Sequence, residues 1–102
     1  MNDIPLTIRI PDELNVKLTE LSKGLGITKV SLLRFTIWDY SDHSVPLEFP
    51  ATNTANTFRF VLSVNPATHQ ILEGISKQYA QPINGVVLAL ANVAVKRYSK
   101  YL

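Results

Sequence analysis

At 102 residues, 46% of them hydrophobic, the chain holds one compact domain or two very small interlocked units. It has no cysteine, which excludes disulfides and thiolate metal sites. The net charge of +2 is uneven, with five Lys/Arg against seven Asp/Glu in residues 1–50 and five against one in residues 51–102, so the second half suits a polyanion.

Residues 5–10, Pro5-Leu6-Thr7-Ile8-Arg9-Ile10, alternate apolar and polar, and Pro11 closes them. That period places Leu6, Ile8 and Ile10 on one face of a strand and Thr7 and Arg9 on the other. So short a strand needs a partner. Pro11-Asp12-Glu13 then starts a helix, with carboxylates where the dipole favours them. Leu14, Leu18, Leu21 and Leu25 form its apolar stripe, and Gly24 and Gly26 bracket its end.

Thr28 reads as the N-cap of a second helix. From Val30 to Tyr40 that helix is apolar on nearly every side, which predicts burial by more than one neighbour, supplied by a second copy of the motif. Ser41 to Asn56, with Pro46 and Pro50, is the linker. Within it Val45, Leu47 and Phe49 alternate, predicting an extended piece against the core or a further contact between chains.

The plan then recurs. Thr57 to Val64 alternates as a strand, with Phe58, Phe60, Leu62 and Val64 in one register and Arg59, Val61 and Ser63 in the other. Asn65-Pro66 is a cap followed by proline at the first helical position. Thr68, Leu72, Ile75 and Tyr79 repeat the spacing of the first stripe. A two-residue insertion around Gln81-Pro82 sets Asn84 opposite Thr28, as the cap of a last helix from Val86 to about Tyr98. Strand, helix, turn and helix thus occur twice, at a repeat of about 54 residues.

The Leu6-to-Pro11 strand, the leucine-striped helix, the Gly26-Ile27-Thr28-Lys29 turn and the apolar second helix resemble the ribbon-helix-helix family of Arc/MetJ/CopG type. The likeness is close over residues 5–40 and looser over 57–98. It implies a mostly α fold with a two-stranded antiparallel β-ribbon, as a tandem pseudo-dimer. Residues 1–40 are the first repeat, 41–56 the linker and 57–102 the second repeat, the two interlocking in one globular unit. It also implies sequence-specific binding of double-stranded DNA, with the ribbon in the major groove. The functions implied are transcriptional repression, copy control or DNA processing on a plasmid or mobile element, in the cytoplasm at the nucleoid.

Carried over to this chain, the base-reading residues are Pro5, Thr7, Arg9, Arg59, Val61 and Ser63. The phosphate-binding residues are Thr28 and Lys29 in the first half, and Asn84 and Gly85 in the second. Arginine can donate two hydrogen bonds to guanine, threonine and serine can bond several bases, and valine can touch a thymine methyl. Amides at a capped helix N-terminus suit a phosphate oxygen. The family usually has polar residues at all three outward positions, whereas Pro5 and Val61 offer no donor, so further copies of the chain on adjacent half-sites are the expected reinforcement.

Other chemistry has little support. His43 and His69 lack metal-ligand spacing, and Asp42-His43-Ser44 is adjacency without triad geometry. Lys96, Arg97 and Lys100 complement a helix C-terminus. No metal, cofactor, small-molecule substrate, catalytic residue or membrane is expected. The longest apolar run, Val86 to Val95, is far short of the ~20 residues of a membrane helix, and Met1-Asn2-Asp3 lacks a signal-peptide pattern. The rival expectation is a protein-interaction module on the same fold; the chain's end at Leu102, with no toxin-binding tail, argues against an antitoxin.

Overall fold

The computed structural model describes residues 3–49 and 57–101. Pro50 and residues 51–56 of the expected linker lie outside the described residues, as do Met1, Asn2 and Leu102. Strands β1 (Ile4–Pro11) and β2 (Thr57–Val64) form a two-stranded antiparallel sheet, aligned Pro5 with Ser63, Thr7 with Val61 and Arg9 with Arg59. Alternation gives the ribbon one dry face, where Ile8, Ile10, Leu62 and Val64 are at most 1% exposed. A hairpin-sized ribbon is marginal alone in water. Four helices back this one.

Helix α1 (Asp12–Leu25) follows β1 directly, with Asp12 and Glu13 in its first turn. Its stripe points inward: Leu18 and Leu21 are fully buried, and Leu14 nearly so. Each such side chain contributes roughly 1.5–3 kcal/mol by leaving water. Helix α2 (Lys29–Asp42) is capped by Thr28, which accepts a hydrogen bond from the Ser31 amide. Helix α3 (Pro66–Tyr79) is capped by Asn65, whose Oδ1 accepts from the Thr68 amide at 2.8 Å, and Thr68, Leu72 and Ile75 are its buried positions. Helix α4 (Ile83–Arg97) is the central element, packed on α1, α2, α3 and β1, with every residue from Gly85 to Ala91 buried. A 3-10 turn, Ser99–Tyr101, packs against α1.

Several expectations change. Asp12 to Pro66 and Lys29 to Ile83 are both steps of 54 residues, so the helices keep one spacing and there is no insertion at Gln81-Pro82. The position that matches Thr28 is Pro82, which caps α4 without a side-chain bond. Asn84 lies inside the first turn and is not the cap. The end of α1 does not change: the helix stops at Leu25, between Gly24 and Gly26, and Gly26 has the left-handed backbone (φ 72°). Helix α2 continues through Ser41 and Asp42 of the expected linker, closed by the His43 amide on the Asp39 carbonyl.

Helix α2 packs on α1, α3, α4 and β2, the burial by more than one neighbour that its apolar faces predict, while Phe35 and Trp38 stay 56% and 47% exposed. The Val45–Phe49 segment does lie against the core. Leu47 is buried and the Phe49 ring sits 5.2 Å from that of Tyr79. Leu47 thus serves the chain's own interior, with Val45 and Phe49 half-buried beside it. At the far ends of the helices, Arg97 of α4 forms an ion pair with Asp39 of α2.

Candidate nucleic-acid interface

The six outward ribbon residues come together on one face as three cross-strand pairs: Pro5 with Ser63, Thr7 with Val61, and Arg9 with Arg59. Five are exposed and Ser63 is half-buried. A two-stranded ribbon of this kind fits the major groove of B-DNA, and alternate side chains then point at base edges. No ion pair reaches Arg9 or Arg59 among the described residues.

Each outer edge of the ribbon has backbone groups that the sheet does not use, and the second helices meet them. Asn84 of α4 accepts from the Arg9 amide at 2.8 Å and donates to the Arg9 carbonyl at 3.1 Å, so its amide takes both peptide groups of one residue. On the other strand, Arg34 of α2 donates through Nε to the Ser63 carbonyl at 2.8 Å. A step of 54 residues relates Arg9 to Ser63, whereas Asn84 matches Val30, which has no donor. Arg34, one turn further along α2, reaches the ribbon instead. Arg34 escaped the sequence reading; the signal was a lone arginine inside an apolar helical run.

The expected phosphate contacts divide. Thr28 is exposed at the start of α2, with its hydroxyl engaged by Ser31: it accepts from the Ser31 amide at 3.1 Å and donates to the Ser31 Oγ at 2.9 Å. Lys29 turns away from the helix terminus. Its Nζ donates to Asn15 Oδ1 at 2.7 Å and sits 4.5 Å from the ring centres of both Phe58 and Phe60. Burial there lowers the lysine pKa below its ordinary value. In this structure the Lys29 ammonium thus braces α1 and the ribbon's aromatic side chains. In the second half the Asn84 side chain is likewise committed to Arg9. Gly85 is buried in the first turn of α4, with Pro82 and Gln81 beside it. What remains toward a phosphate at that helix start is the backbone of Ile83, Asn84 and Gly85.

Elsewhere, His69 pairs with Glu73 at 2.8 Å and His43 with Asp39 at 3.7 Å, each one helical turn away. Among the described residues no group of three or more His, Cys, Asp or Glu gathers as a metal site, and no helix is long and apolar enough to cross a membrane. The aromatic pair Phe35 and Trp38 stands on α2, with the Trp38 indole donating to Thr68 Oγ1 at 2.9 Å. No known family, curated protein or solved structure matches the chain.

Proposed function

We propose that this chain is a tandem ribbon-helix-helix protein that binds double-stranded DNA in a sequence-dependent manner, through the outer face of its ribbon in the major groove. One observation carries the reading. Two arginines stand directly opposite each other on an exposed two-stranded ribbon, with no carboxylate paired to either among the described residues. Like charges directly opposite destabilise a sheet. On a face that suits the major groove, an anionic, acceptor-rich partner would offset that repulsion. Thr7, Val61 and Ser63 extend the base-reading face, and the helix N-termini supply backbone donors to phosphates. In this reading the two repeats act as the two halves of a pseudo-dimer, and the cellular role is repression, copy control or DNA processing, with further copies on adjacent half-sites.

The test is selection from a random duplex pool at two salt concentrations, with wild type and Arg9→Ala/Arg59→Ala. The expected outcome is a short motif enriched by wild type, with the double variant losing preference and about tenfold or more in affinity. Negligible binding at low salt overturns the reading. A second reading, a protein-interaction module, is favoured by the exposed Phe35 and Trp38. It predicts that Phe35→Ala/Trp38→Ala abolishes a protein association that Arg9→Ala/Arg59→Ala leaves intact.

A further inference from the structure

The outer face of the ribbon differs from end to end. Its register sets both guanidinium groups, Arg9 and Arg59, at one end, while Pro5 and Ser63 form the other. Residues four apart on a strand are separated by about 13 Å, close to four base-pair steps of duplex. At the arginine end each side chain keeps a fork of donors with no carboxylate paired to it among the described residues, the geometry that bridges the O6 and N7 of guanine. At the other end Pro5 has no donor, and Ser63 offers one half-buried hydroxyl. Between them Val61, 54% exposed, faces outward beside Thr7 and suits a thymine methyl.

The two ends also differ in how firmly they are held. Asn84 ties both backbone groups of Arg9 to α4, so the strand segment that aims this arginine is fixed before any ligand arrives. At the opposite end Arg34 holds the Ser63 carbonyl alone. The inequality comes from the residues, since the 54-residue step that relates the helices pairs Arg9 with Ser63 and Arg59 with Pro5.

Resting on the DNA-binding reading above, we propose that the ribbon is a polar reader. Guanines lie under Arg9 and Arg59 at one end of the site, thymine lies near its centre under Val61, and base discrimination is weak about four base pairs away under Pro5 and Ser63. The preferred site is then one-sided, even though the protein is built from two similar halves.

The experiment is selection from duplexes with a randomised window of about six base pairs, the span of one ribbon, using wild type and Ser63→Arg. Circular dichroism checks that the variant is folded. Wild type is expected to enrich a non-palindromic motif with guanine at one end only, preferred by about tenfold over other bases there. Ser63→Arg puts a guanidinium at the position matching Arg9, and is expected to add a guanine preference at the weak end. A palindromic wild-type motif, or a one-sided motif without guanine at its strong end, overturns the polarity while leaving DNA binding standing. A Ser63→Arg motif unchanged from wild type also overturns it. Binding at low salt with no motif removes base reading and polarity together, and no binding at all removes the DNA reading itself.

Discussion

Helices α2 and α4 start one 54-residue step apart, and both are apolar on most sides, yet they occupy different environments. Position by position, Arg34 matches Leu88, Phe35 matches Ala89 and Trp38 matches Asn92. Leu88 and Ala89 are buried, at 3% and 1% exposure, whereas Phe35 is 56% exposed and Arg34 also faces solvent. The reason is partly local. Val45, Pro46 and Glu48, the residues that follow α2, come back along the Ala89, Asn92 and Val93 side of α4, closing a groove of about 340 Å³. After α4, Ser99 and Lys100, the counterparts of Val45 and Pro46, lie instead in the 3-10 segment against α1. Helix α4 thus lies at the centre of the interior, whereas α2 buries Leu32, Leu33 and Ile37 on one side and keeps Arg34 and two exposed aromatics on the other.

The widest gap between the two helices should appear in stability. Leu90→Ala removes a fully buried side chain from the centre of α4 and is expected to cost about 2–5 kcal/mol, through lost burial and the cavity left behind. Phe35→Ala, on the exposed side of α2, should change stability by less than about 0.5 kcal/mol. Urea unfolding of both variants measures the contrast. A large loss for Phe35→Ala would mean that this face is covered in solution.

An alkaline titration sharpens the same comparison, because Tyr40 of α2 matches the small Ala94 of α4. Burial, joined by the Tyr79 hydroxyl 3.4 Å away, raises the Tyr40 pKa to about 12. The folded state therefore favours the neutral phenol. Its contribution to stability is complete below the unfolded tyrosine value near 10 and is lost as pH rises through about 12. Ultraviolet titration of the phenolate should show this late ionisation, and Tyr40→Phe should remove it.

The next contrast is between Asn84 and Val30, at matching points of the two second helices. Asn84→Ala deletes two hydrogen bonds to the Arg9 backbone and is expected to cost roughly 1–2 kcal/mol. Under the DNA reading, the same variant should blur base preference at the arginine end more than it lowers total affinity. Asn84→Asp keeps the acceptor for the Arg9 amide but loses the donor to the carbonyl, so it should fall between. Thermal unfolding and duplex selection on the three proteins separate the structural loss from the positioning one.

These elements also show what the residues disclosed in advance. The strand alternation around Ile8 and Leu62, the leucine stripe of α1 and the Asn65-Pro66 start are local signals, and each gave the correct element and facing. The six outward residues followed from the same period of two. Asn84 was misread because an asparagine ahead of an apolar run is a good cap by local rules. Its actual partner, Arg9, is 75 residues away in sequence, and only the tertiary fold brings the two together. The contacts of Lys29 were hidden for a similar reason: Phe58 and Phe60, whose rings lie beside its ammonium, come from the distant strand. A pattern of apolar residues on every side of a helix could not tell α2 from α4, since what covers each comes from other elements, the segment after α2 among them.

The smallest expected effect concerns how the two first helices end. Gly26 after α1 and Ala80 after α3 both adopt the left-handed backbone, at φ 72° and 53°. Glycine enters that region freely, whereas alanine pays for its Cβ by about 1 kcal/mol. A Cβ at Gly26 would meet nothing within 4 Å, so Gly26→Ala tests the backbone alone and should destabilise by about 1 kcal/mol. Ala80→Gly should move the other way, stabilising by up to about 1 kcal/mol, because a strained residue is relieved at a cap already made by the Ala80 and Gln81 amides on the Lys77 and Ser76 carbonyls. Opposite signs for two helix ends of one geometry would show that the turn is set by the fold and only tuned by the residue. Equal signs would mean that the two turns, alike in backbone, are held by different forces.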